Sequence, residues 1–221
     1  MKFYHLFFLV LISSFLSSCN EDKTPWVDLF TNNSLDGFNI KGGNATYRNE
    51  NGTIIGTTAA NTPNTFLCTD KIYNDFILEI DFKVDPVMNS GIQIRSNSLP
   101  YYRDGMVHWY QVEIDPSKRA WSGGIYDEKR RLWLNPLKDN MEAQNAFKQN
   151  EWNHYRIEAI SDTFKIWVNG IPTTHLIDSK TDRGIIGFQV HKIDADTEKG
   201  ILKIKNARII TENPDKYSMN I

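Results

Sequence analysis

Seven polar residues fall where alternating strands would set them on one face: Gln93, Arg95, Gln111, Glu113, Asp115, Gln189 and His191. The set combines a permanent cation, two carboxylates, an imidazole and three amides. Such groups can move a proton, with Glu113 or His191 as general base. Arg95 could hold a developing oxyanion, because its charge is permanent and its donors form a planar fork. Glu113, Asp115 and His191 are also a possible ligand set for a divalent metal cation acting as a Lewis acid. Gln93, Gln111 and Gln189 can both donate to and accept from hydroxyls. Trp109, Trp121, Tyr126 and Trp133 are candidates for stacking on a sugar ring. No dinucleotide fingerprint occurs, so no nucleotide cofactor is expected.

These residues need strands to hold them. Trp109 to Asp115 alternates strictly: Tyr110, Val112 and Ile114 point one way, Gln111, Glu113 and Asp115 the other. Acidic residues are poor strand formers, so this polar face needs a reason beyond folding. Phe76 to Val84 alternates in the same way and stops at Asp85-Pro86, since proline cannot donate to a ladder. Ile92 to Arg95, Trp152 to Ile160, Phe164 to Val168 and Gly184 to His191 repeat the pattern. Asn51-Gly52 and Asn169-Gly170 are hairpin turn signals. Residues 116–151 read as one or two long loops, with a short strand near Gly123 to Tyr126 and a short helix over Lys138 to Phe147. Trp152 is expected to anchor the core. Roughly ten to thirteen short strands with regular turns and no long helical period predict an all-β sandwich of two antiparallel sheets.

The chain has 221 residues, a net charge of −2 and 12 % aromatics. That suits one domain with a full core and gives no electrostatic case for nucleic acid. Met1-Lys2 followed by the apolar run Phe3 to Phe15 is a signal peptide, residues 1–18, too short to span a membrane comfortably. Leu16-Ser17-Ser18-Cys19 resembles a bacterial lipobox, which implies cleavage before Cys19 and its lipidation. Residues 19–25 would then be a tether, and 212–221 a loose tail. The expectation is an exported lipoprotein of the periplasm or outer surface, held to the membrane through Cys19. Cys68 is then unpaired, and its strand-like surroundings predict a buried, inert thiol.

In order, Asp28-Leu29-Phe30, Leu35-Asp36-Gly37-Phe38, Asn89-Ser90-Gly91-Ile92 with Arg95, Tyr110 to Asp115, Gly123-Gly124-Ile125-Tyr126, Val168-Asn169-Gly170 and Gly187 to His191 resemble the 3-keto-disaccharide hydrolase domain family. The resemblance covers about residues 26–211. It implies a concanavalin A-like jelly roll and a substrate already oxidised to a ketone at C3 of a sugar. The ketone acidifies the C2 proton; a base removes it, the enolate expels the group at C1, and water adds to the enone. A separate sugar-oxidising enzyme would supply the ketone. The family's usual Glu-x-Gln on the central strand is here Gln111-x-Glu113, with acid and amide exchanged.

Two other readings stand beside it. Laminarinase-type glycosidases of this sandwich fold use a motif resembling Glu-x-Asp-x-x-Glu. Glu79-Ile80-Asp81 and Glu113-Ile114-Asp115 both start it, but Val84 and Lys118 fill the last place. A non-catalytic carbohydrate-binding lectin would use the same amides and aromatics without needing Arg95, Glu113 and His191 to converge.

Overall fold

The computed structural model describes residues 25–31, 33–86 and 88–221. The signal peptide, Cys19 and nearly all of the proposed tether lie outside the described residues. The first strands are β1 (Val27–Asp28), β2 (Phe38–Gly42), β3 (Thr46–Glu50), β4 (Thr53–Thr57) and β5 (Thr65–Thr69). The longer β6 (Phe76–Val84) and β7 (Ser90–Ser96) precede β8 (Trp109–Ile114). Then come β9 (Ile125–Glu128), β10 (Leu132–Asn135), α1 (Met141–Gln144), β11 (Asn153–Ile160) and β12 (Thr163–Val168). The domain closes with β13 (Ile171–Ile177), β14 (Ile185–Val190) and β15 (Ile201–Ile210).

These strands form two antiparallel sheets. One runs β13-β12-β11-β6-β15-β4-β3, with β1 also on β15; the other runs β10-β9-β8-β7-β14-β5-β2. Alternation decides which residues face inward. Leu78, Ile80, Phe82, Tyr155, Ile157 and Ile166 of the first sheet meet Ile92, Tyr110, Val112, Ile114 and Phe188 of the second, all fully buried. Burying each such side chain stabilises the sandwich by about 1.5–3 kcal/mol. The hairpin between β12 and β13 turns on Asn169 (φ 51°) and Gly170 (φ 81°), the left-handed pair that a type I′ turn requires.

Four expectations need correction. The 116–151 region is less of a loop than its sequence suggests, because β9 and β10 extend the second sheet and put Tyr126 and Trp133 opposite each other. The helix there is only one turn, Met141–Gln144, capped by Asn140 Oδ1 accepting from Ala143 N at 3.0 Å. Trp152 is half-buried and outside the core; the Lys205 ammonium lies 4.3 Å above its ring. The 212–221 tail is docked, not loose. Tyr217 O accepts from Arg156 Nη2 at 2.6 Å, and Ser218 Oγ and Met219 N donate to Glu158 at 2.6 and 3.0 Å. Cys68 is buried and desolvation pushes its thiol up to about 12, so it is protonated and inert at neutral pH.

Candidate active site

The outward face of the second sheet forms the floor of an open cleft of about 1190 Å³. Gln111 and Glu113 rise from β8, Tyr126 from β9, Trp133 from β10 and Gln189 from β14. His191 stands just beyond the end of β14. Residues 61–64, 103–107 and 191–194 make the rim. Arg103 (φ 45°) and Asp104 (φ 56°) give that rim two consecutive left-handed non-glycine residues, a kind of backbone strain that concentrates at functional sites.

Glu113 is the best-defined group here, only 4 % exposed. Asn89 Nδ2 donates to its Oε1 at 2.6 Å, and Gln111 Nε2 to its Oε2 at 3.0 Å. Gln111 is itself oriented: its Oε1 accepts from Gln93 Nε2 at 2.7 Å, and Gln93 Oε1 accepts from Ser96 Oγ at 2.6 Å. The chain has one direction, so every donor ends at the carboxylate. Burial nevertheless pushes the Glu113 carboxyl up to about 7, against the pull of Asn89, Gln111 and Arg119. A carboxyl poised there can both take and return a proton near neutral pH.

Asp115 has another task. Its Oδ1 accepts from Ser117 N at 3.1 Å; its Oδ2 accepts from Arg119 Nε at 2.7 Å and Trp121 N at 3.3 Å. Burial alone would raise this carboxyl, but the Ser117 and Arg119 donors outweigh it and hold it below the usual range. It staples the loop after β8 and aims Arg119. His191 Nδ1 lies 2.9 Å from Lys192 O. A carbonyl only accepts, so Nδ1 carries the proton and Nε2 is left as an acceptor. Burial lowers the His191 pKa, which keeps the ring neutral at pH 7.

The three residues expected as metal ligands do not come together in this geometry. Among the described residues no group of three or more His, Cys, Asp or Glu side chains could hold an ion. Glu113 and Asp115 are engaged by amide and guanidinium donors, so Glu113, Asp115 and His191 do not fit as a ligand set.

Arg95 is the largest correction. It has φ 45°, and the β14–β7 register shifts beside it, between Ile185 and Gly187. That irregularity breaks the alternation and turns the side chain inward. Arg95 is fully buried and donates to Asn74 O (3.1 Å), Ser161 O (2.5 Å) and Ala159 O (3.0 Å). Its ion pair is with Asp75 at 2.8 Å, and it lies 5.3 Å from the Phe164 ring. It ties the two sheets together and takes no part in the cleft. Trp109 also leaves the cleft: at φ 92° its ring packs under the Arg130 guanidinium, 3.6 Å away. Trp121 stands behind Trp133, edge to face at 4.7 Å, and Gln93 lies fully buried beneath Gln111.

Sequence reasoning missed two residues. Asn89 reads as a turn residue, yet it donates to the Glu113 carboxylate. Arg119 sits between Trp121 (5.0 Å) and Trp133 (4.7 Å), with Nη2 3.8 Å from Glu113 Oε1. It lines the cleft and supplies the cation expected of Arg95. Its four-residue spacing from Asp115 was the available signal.

Two antiparallel sheets, one carrying a polar cleft with a buried acid, define a jelly-roll sandwich of the concanavalin A-like type. The sequence itself narrows the class. Residues 25–210 match the 3-keto-alpha-glucoside-1,2-lyase-like domain, and the chain belongs to that family. A carbohydrate-related function follows from this membership. A search of the curated proteins returns no match. Among solved structures, a candidate glycosyl hydrolase from Parabacteroides distasonis is similar at TM-score 0.56 and 20% identity, covering 83% of this chain and 98% of that one. A Bacillus subtilis protein with a galectin-like fold gives TM-score 0.57 at 11% identity, covering 80% and 90%. The carbohydrate-binding module CBM66 of Bacillus subtilis gives 0.53 at 16%, covering 77% and 93%. At such identities these likenesses establish the fold.

Proposed function

We propose that this protein cleaves 3-keto-glycosides by elimination at C2, with Glu113 as the base. The observation that carries the reading is a cleft-floor carboxylate pushed to about 7 by burial, with both oxygens held by fixed amides. Glu113 takes the C2 proton, and the electrons move onto the C3 oxygen as an enolate. Arg119 stabilises that oxyanion. The enolate collapses to C1=C2, the C1–O bond breaks, and Glu113 returns its proton to the departing oxygen. The enone then takes up water; His191 Nε2 accepts the water's proton as hydroxide adds at C1, and returns that proton to C2 as the new enolate goes back to the ketone. The ketone is installed upstream by a separate oxidising enzyme. Trp133 and Tyr126 stack on the sugar. A binding module would gain nothing from a buried acid poised at neutral pH.

The test compares a 3-keto-glucoside with its parent glucoside, with and without chelator. Cleavage of the keto sugar alone is expected, at a rate the chelator leaves within about twofold. Equal cleavage of both substrates, or of neither, overturns the reading. Collapse with chelator moves the oxyanion role from Arg119 to a metal ion.

A second expectation concerns Gly91. A Cβ there would lie 2.4 Å from Gln111 Cδ, so Gly91→Ala must displace that side chain and remove one donor from Glu113. Loss of one such bond to a buried charge is worth about 1.5–3 kcal/mol. Steady-state kinetics should show kcat/KM down by roughly tenfold to a hundredfold, with the circular dichroism spectrum unchanged.

A further inference from the structure

The cleft floor contains one buried acceptor that the scheme above leaves unused. Gln189 is 1 % exposed and lines the cleft, yet its Oε1 has no hydrogen-bond partner among the described residues. Its backbone carbonyl is satisfied by Ser90 Oγ at 2.6 Å, so the deficit belongs to the side chain. A native fold rarely leaves such an atom unpaired, because the lost solvation is not recovered. The position is informative too. Gln189 pairs with Gly91, and Gly91 pairs with Glu113. The two long side chains therefore stand on one face, with Gly91 between them and the Gln111 side chain packed over that glycine. Their backbones are two strand spacings apart, about 9.6 Å.

We infer that Gln189 is a specificity-determining residue that accepts a hydrogen bond from the C4 hydroxyl of the sugar whose C2 proton Glu113 removes. The inference rests on the proposed function for its ring numbering. With C2 over Glu113, the C2 hydroxyl stays beside the carboxylate, and a separation of two strands is bridged only across the ring. The C3 ketone lies on the way, but it is an acceptor and cannot satisfy Oε1. The next donor round the ring is the hydroxyl on C4. Gln189 thus separates sugars by a hydroxyl that takes no part in the chemistry.

The test is a binding measurement, independent of turnover. Methyl 3-keto-glucoside and its 4-deoxy analogue are titrated calorimetrically into Glu113→Gln and into Glu113→Gln with Gln189→Leu. The 4-deoxy sugar is expected to bind the single variant about tenfold to a hundredfold more weakly. That difference should shrink to less than threefold in the double variant, with melting temperatures matched to within a few degrees. Equal affinity of both sugars for the single variant overturns the assignment, as does discrimination that persists without Gln189. Wild-type turnover of the parent keto-glucoside is followed separately. Its failure with discrimination intact would sink the elimination scheme and leave Gln189 as a sugar-reading residue.

Discussion

Glu113→Gln is expected to lower kcat/KM on a 3-keto-glucoside by about 10²–10⁴-fold, the usual contribution of a positioned base. The amide keeps the shape of the carboxylate but cannot accept the C2 proton. In the wild type the base form requires deprotonation, so kcat/KM should rise with pH through about 7, set by the buried carboxyl. The same group gives stability the opposite slope. In the unfolded chain Glu113 loses its proton near the ordinary 4.5, whereas in the fold it holds it to about 7. Its contribution is therefore fully favourable below pH 4.5 and is lost as pH rises to 7. The cost above pH 7 is on the order of 3 kcal/mol. Urea melts at pH 4.5 and pH 8 should show this loss in the wild type and not in Glu113→Gln. A pH-rate profile still flat between pH 5 and 9 would remove Glu113 from the mechanism.

Arg95→Met should do the reverse, damaging the fold while sparing the cleft. Methionine fills much of the volume but leaves three backbone carbonyls without the Arg95 donors, while Asp75, part-exposed, keeps Ser161 N as a donor. Buried acceptors left without a donor cost about 1–3 kcal/mol each, so a loss of roughly 3–5 kcal/mol is expected from the three carbonyls together. At about 2–4 °C per kcal/mol for a chain of this size, the melting temperature should fall by roughly 6–20 °C. Turnover per folded molecule, measured well below the new melting point, should stay within about twofold. If activity vanished with stability intact, Arg95 would belong to the chemistry after all.

The contrast between these residues shows what the sequence could carry. Period-two alternation found β6 and β8 because their inward residues are uniformly apolar. Tyr110, Val112 and Ile114 face the core, and Glu113 faces the cleft, as alternation requires. The rule failed where the backbone leaves the regular strand. Arg95 and Trp109 have positive φ, and nothing in their residue types announces it, since neither is a residue that favours that region. The donor chain through Gln93 and Gln111 was also hidden. Its members were visible as polar strand residues, but which amide lies beneath which depends on cross-strand register. Arg119 was obscured by its loop, where periodicity offers no guide. Asp115 looked like a metal ligand only while its own backbone and arginine partners were unknown.

The two ends of the described chain have a practical consequence. β1 lies against β15, with Val27 opposite Ile209, and the last residues bind Arg156, Glu158 and Lys165 of β11 and β12. Both ends thus belong to the sheet that does not carry the cleft. A bead, a sensor chip or a fused partner joined at either end would hold the protein by its back. The mouth of the cleft would face the bulk solution.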